Sequence, residues 1–310
     1  MRIARLGLAL GILGLAGAAA LAPSCAQPEC VVPDYTEPEC RVVVENALAR
    51  IDAAAGAELR FREPAVESGL AWDALGHLAE PNPGELQARV ATLGDFALAI
   101  RAPEERPATI DLDLRNVAPA ATLSVGPPGA GVDLPPTDDA LLRRRLSVDV
   151  PAGGEVEVRG RIECPERYHL IFVGDIQTNP TQFERILDRI ADDVAVQAAA
   201  GEPILGLVIV GDLTEWSNAE EFVRIAEILG NAPVPVAVTA GNHDIFRSSV
   251  AIYNETFGPG NYAFTACRTR IAMLDTGSAE LARSIEGRLG ELLDPQGADF
   301  LIAATHYPPY

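Results

Sequence analysis

Hydrophobic and polar positions follow two different rhythms along the chain. From about residue 43 to 163, segments such as "ATIDLDL", "RRRLSVDV" and "GEVEVRGRI" alternate apolar and polar side chains, the period of a strand with one buried face. Turn-forming stretches, "GPPGAGVDLPP" and "PAGG", separate them. This pattern predicts a small β-sandwich-like, β-rich accessory domain over 43–163. From Tyr168 the rhythm changes. "YHLIFV", "ILGLVIV" and "VPVAVTA" are unbroken apolar runs, as expected of strands covered on both faces. "TQFERILDRIADDVAVQAAAG" is amphipathic at helical spacing, with Phe183, Ile186, Leu187 and Ile190 on one stripe and Gly201 as the C-terminal cap. "NAEEFVRIAEILG" predicts a second helix. Strand–helix–strand alternation predicts a largely parallel sheet, and so an α/β domain over 164–310.

The first residues carry another signal. Arg2 and Arg5 precede the apolar "LGLALGILGLAGAAALA", which predicts an export signal over 1–25. "LAPSC", ending at Cys25, resembles the lipobox of bacterial lipoproteins, whose cysteine is lipidated and attaches the chain to a membrane; cleavage near Ala18–Ala20 without a lipid is the alternative. The expected location is therefore a periplasmic or outer-surface lipoprotein, or a secreted protein. Residues 26–42, rich in Pro and Glu, read as a tether. Export permits disulfides. With Cys25 set aside, Cys30, Cys40, Cys164 and Cys267 allow three pairings, of which Cys30–Cys40 is the local choice.

Composition narrows the chemistry. A net charge of −20 excludes a nucleic-acid backbone as the expected partner. All 24 basic residues are arginine, so Schiff-base and P-loop lysine chemistry are excluded. His77, Trp72 and His169 sit outside any motif and read as packing or surface residues. Asn254 opens a "NET" sequon and reads as a helix or turn residue.

The candidate chemistry lies where the apolar runs end. They close on Gly174-Asp175, on Gly211-Asp212 and on "GNHD", Gly241 to Asp244. In a parallel sheet the carboxyl ends of neighbouring strands converge on one crevice. Two carboxylates brought together repel unless one is protonated or a cation lies between them. A Gly-Asp step after a strand is also a common helix N-cap, which is the structural alternative for each aspartate taken alone.

The ordered set "GDIQ", "GDLTE", "GNHD" and "THYPPY" resembles the calcineurin-like metallophosphoesterase family, which includes the purple acid phosphatases. "YNETFGPGNYAF" and "IAMLDTG" fit the family's connection between the third and fourth motifs. The resemblance implies a metallophosphoesterase-type α-β-β-α sandwich. It implies hydrolysis of a phosphate ester, carried by a phosphorylated small molecule or other phosphoester, by a metal-bound hydroxide at a pair of divalent ions, Mn, Fe or Zn. It also implies roles. Asp175 and Gln177 would hold the first metal, Asp212 would bridge both, and Asn242 and His306 would hold the second. His243 would face the phosphoryl group, with Asp244 orienting it.

Three positions depart from the family pattern. Gln177 replaces a frequent histidine, and an amide oxygen is the weaker ligand for a transition metal. Trp216 stands where a purple, ferric site would place a tyrosine ligand. The chain reaches Tyr310 directly after the fourth motif without a Gly-His-x-His, so the α-β-β-α sandwich is expected to be truncated. The leading expectation is an exported bacterial metallophosphoesterase; the alternative is a catalytically impaired binding or structural lipoprotein derived from that family.

Overall fold

The computed structural model describes residues 36–48, 50–53, 56–62, 76–82, 84–135, 141–246 and 252–308. The predicted export signal with Cys25, and also Cys30, Trp72 and Tyr310, lie outside these residues.

The described chain opens with helix α1 (Pro38–Leu48). Strands β1 (Arg50–Asp52), β2 (Glu58–Arg62), β5 (Phe96–Arg101), β7 (Thr122–Gly126), β8 (Val132–Asp133) and β10 (Glu155–Arg161) form a sheet in the order β1-β2-β5-β10-β7-β8. Strands β3 (Gly76–Asn82), β4 (Glu85–Val90), β6 (Ala108–Arg115) and β9 (Arg143–Val150) form a second sheet, β3-β4-β6-β9. In β6 the alternation read from sequence becomes burial: Ala108, Ile110, Leu112 and Leu114 point into the core. Phe61, Leu98, Val148 and Val158 join them from both sheets.

The tether expected over 26–42 is corrected at its end. Residues 38–42 are the first part of α1, and Arg41 is wholly buried. Its guanidinium holds Asp275, from Nε to Oδ2 at 2.6 Å and from Nη2 to Oδ1 at 3.1 Å. This cation is buried because a carboxylate far along the chain receives it in a two-point pair.

The second half holds β11 (His169–Val173), α2 (Pro180–Ala199), β12 (Ile204–Val210), α3 (Ala219–Gly230) and β13 (Val236–Thr239). The three strands pair in parallel, with Val173 opposite Ile209 and Val210 opposite Thr239. A further sheet contains β14 (Tyr262–Ala266), β15 (Thr269–Leu274) and β16 (Phe300–Thr305), with β16 parallel to β15. Short helices α4 (Ile252–Phe257), α5 (Arg283–Glu286) and α6 (Leu289–Leu292) complete the set. Leu207 and Ile209 share a core with Phe183, Leu187, Ile190, Phe222 and Ile225 of α2 and α3. Val208 and Ala237, one residue out of step, share the other core with Tyr262, Phe264, Ile271 and Met273 of the second sheet. Period-two alternation thus stacks helices, sheet and sheet, the layering of the expected fold class.

Local signals account for the helix limits. Asn179 caps α2 through its side chain to the Gln182 amide, and Asn218 forms a capping box with Glu221 on α3. Gly201 follows α2 with φ +77°. The stripe on α2 is narrower than expected: Phe183, Leu187 and Ile190 are buried while Ile186 is exposed. Cys164 and Cys267 form a disulfide, one of the pairings left open by sequence. His169 is exposed beside Glu202 at 3.5 Å. Burial and the charge of Arg89 push the His77 imidazole down to about 4, so it packs as a neutral ring. Among the described residues, no helix is long and apolar enough to cross a membrane.

Candidate metal centre

The parallel register places Gly174-Asp175, Gly211-Asp212 and Gly241-Asn242 at the same end of one sheet. Asp175 and Asp212 both take left-handed backbone angles, φ 56° each. Such angles are uncommon in residues other than glycine and persist where surroundings enforce them. Here the two turns lock together: the Asp175 amide donates to Gly211 O at 3.2 Å and the Gln177 amide to Asp212 O at 3.1 Å. The caps of the following helices are Asn179 and Asn218, so neither aspartate serves as the N-cap that was its structural alternative.

Glycine is required at two points. A Cβ on Gly211 would lie 2.7 Å from the Gly241 Cα, and one on Gly241 would lie 2.2 Å from Asp212 Oδ1. Without side chains there, the second and third strand ends close on each other and the Asp212 carboxylate fits between them.

Asp212, almost fully buried, turns its two oxygens in different directions. Oδ2 accepts from Gln177 Nε2 at 3.1 Å. Oδ1 accepts from the His243 amide at 3.0 Å and lies 3.4 Å from His306 Nε2. His306 comes from the other sheet, at the end of β16, and its Nε2 is also 3.1 Å from Asn242 Oδ1. Ligand atoms of Asp175, Asp212 and His306 lie within 4.8 Å of one another.

The donor set fits a divalent cation. His306 Nδ1 faces the Val210 carbonyl at 3.0 Å, which can only accept, so Nδ1 carries the proton. The other ring nitrogen, Nε2, thus faces two electron-rich oxygens, Asp212 Oδ1 and Asn242 Oδ1. Gln177 Oε1 is buried without a hydrogen-bond partner. An orphaned amide oxygen beside converging carboxylates and an imidazole nitrogen is an arrangement a cation satisfies.

His243 is held differently from the sequence expectation. Its Nδ1 donates to the Glu215 carbonyl at 2.9 Å, and this bond, helped by the charges of Asp212, Glu215 and Asp244, raises its pKa. The role assigned to Asp244 is thereby corrected. Its Oδ1 accepts from the amides of Leu213 and Thr214, both at 2.9 Å, and from the Thr214 hydroxyl; its Oδ2 accepts from the Gly241 amide at 2.9 Å. Asp244 fastens the "GNHD" turn to the strand end carrying Asp212, while a backbone carbonyl orients His243. Burial pushes its carboxyl up to about 7 despite those amides.

A family model described as calcineurin-like phosphoesterase matches residues 168–310. Those residues belong to that family. Among solved structures, the chain is similar to the purple acid phosphatase PPD1 from yellow lupin (Lupinus luteus) seeds, with 12% identity and a TM-score of 0.35, over 74% of this chain and 50% of that one. The chain thus spans about half the length of that phosphatase. A comparison with curated proteins found no match.

Two features of the phosphoesterase domain had no sequence signal. Glu215, without an assigned role, supplies the carbonyl for His243, and Val210 supplies the one for His306. Backbone acceptors leave no trace in residue identity.

Proposed function

We propose that the phosphoesterase domain hydrolyses phosphate esters at a pair of divalent ions held by Asp175, Gln177, Asp212, Asn242 and His306. The observation that carries this reading is the division of the Asp212 carboxylate, one oxygen toward Gln177 and the other toward His306, whose Nε2 also meets Asn242 Oδ1. A bridging carboxylate needs that division. Two bound cations, Mn, Fe or Zn, would polarise the phosphoryl oxygens and lower the pKa of the attacking water.

The chain's own residues do the rest. Val210 and Asp244 hold His306 and the "GNHD" turn before substrate arrives, so the site needs little rearrangement. Glu215 fixes His243 at Nδ1 and leaves Nε2 to meet the phosphoryl group. As water bonds to phosphorus and the ester P–O bond breaks, the leaving oxygen takes the proton from His243 Nε2; the water gives one to solvent. The disulfide between Cys164 and Cys267 supports folding in an oxidising compartment, and so the expected export. Attachment through a lipidated Cys25 remains part of the same proposal.

Chelator-treated protein should hydrolyse neither phosphate mono- nor diesters, and added Mn(II), Fe(II) or Zn(II) should restore turnover. Hydrolysis no faster than blank with all three ions would overturn the reading.

A further inference from the structure

Two aromatic side chains stand beside the proposed centre and take no part in it. Trp216 directly follows Glu215, whose carbonyl holds His243. Phe246 lies just past the Asn242–Asp244 turn. Their ring centroids are 6.3 Å apart at 45°, and Phe246 meets the His243 ring edge-on at 5.4 Å and 72°. The three rings form a chain from surface to site.

Both outer rings keep much of their area in water: Trp216 is 49% exposed and Phe246 37%. Hydrogen bonds among the described residues tie the backbone at both positions. The Trp216 amide donates to Glu221 Oε2 at 2.9 Å, inside the first turn of α3. The Phe246 amide donates to Asn242 O at 3.1 Å. Ser217, in a left-handed conformation, ties its hydroxyl to the His243 carbonyl. Rigidly mounted, partly wet aromatic surface next to a polar site is the makeup of a ligand subsite: apolar area for a planar group and a few fixed polar atoms for orientation.

His243 fixes which part of a substrate would reach these rings. In the proposed reaction it faces the phosphoryl group on the side of the leaving oxygen, so the group beyond that oxygen extends past His243 toward Phe246 and Trp216. On the strength of that reading, we propose that Trp216 and Phe246 bind the alcohol part of the ester, and that the domain prefers phosphate esters carrying a planar aromatic or heteroaromatic group over esters of small aliphatic alcohols.

Benzyl phosphate and ethyl phosphate test this, because both release an unactivated alcohol and differ mainly in the ring. With Mn(II)-loaded full chain, kcat/KM for benzyl phosphate should exceed that for ethyl phosphate by about tenfold or more. Trp216→Ala should bring the ratio close to unity, and Trp216→Phe should keep the preference. A ratio near one in the unaltered protein, or one unchanged by Trp216→Ala, would overturn the subsite while leaving the hydrolase reading intact. A binding readout works without turnover. The chain has two tryptophans, so in a Trp72→Phe background fluorescence reports Trp216. Benzylphosphonate should shift that emission at concentrations where ethylphosphonate does not. If it does so while neither ester is hydrolysed, the subsite stands and the proposed hydrolysis fails. Equal responses to both phosphonates would overturn the subsite.

Discussion

His306 gives its Nδ1–H to the carbonyl oxygen of Val210 at 3.0 Å. That bond turns the other nitrogen toward the site. Nε2 lies 3.1 Å from Asn242 Oδ1 and 3.4 Å from Asp212 Oδ1, two electron-rich atoms. A cation resolves this convergence, and an ion-free site would have to do so by protonating a ring or turning an amide. The orientation of one imidazole by a backbone carbonyl is thus the structural basis for the metal reading.

His243 should separate binding from turnover. Its ring is oriented by Glu215, and none of its described contacts places it among the candidate ligands. His243→Ala should lower kcat by about 10²–10⁴-fold, the range for loss of a positioned acid or base, with metal content unchanged. Loss of metal in this variant, measured by elemental analysis, would make His243 a ligand instead.

Arg41 should matter to stability although it lies far from the centre in sequence. It is fully buried against Asp275, and the Asp275 loop reaches the site: Thr276 Oγ1 accepts from the amide of Tyr307, the residue after His306, at 2.9 Å. Arg41→Met strands a buried carboxylate, and removing one partner of a buried pair costs about 3–5 kcal/mol. Urea denaturation should show a loss of that size, with Arg41→Met/Asp275→Asn regaining much of it. A loss below about 1 kcal/mol, the worth of a surface pair, would contradict the burial seen here.

Glu45 should make stability fall as pH rises. Burial, with the neighbouring Asp275 adding to it, pushes its carboxyl up to about 8, against hydrogen bonds from Gly260 and Asn261 and the charge of Arg41. A carboxyl with a higher pKa in the folded than the unfolded state binds more proton when folded. Between the model-peptide value of 4.5 and about 8, stability therefore decreases with rising pH. Glu45→Gln cannot titrate and should flatten the decline in melting temperature between pH 6 and pH 8. Parallel profiles for the two proteins would contradict the assignment.

Much of this organisation was legible in sequence, and the exceptions have physical causes. Apolar runs fix β11, β12 and β13, and parallel pairing then requires Asp175, Asp212 and Asn242 to share one end. Gln177 and His306 came from the motif order, and the structure brings both to Asp212. Asp244 was assigned to its neighbour His243, but adjacency in sequence says nothing of where a carboxylate turns; three backbone amides claim it. Arg41 and Asp275 are 234 residues apart, and no local pattern announces such a pair. The Ile186 position failed because helical spacing defines a stripe without its width.

The most direct test is the metal content of Mn(II)-equilibrated, gel-filtered protein beside its Asp212→Asn and Asn242→Ala variants. Because Asp212 offers one oxygen to each half of the site, the unaltered chain should carry two ions, Asp212→Asn should lose both, and Asn242→Ala should mainly weaken one. Equal and undiminished metal in all three proteins, or none in the unaltered chain, would contradict a centre bridged by Asp212.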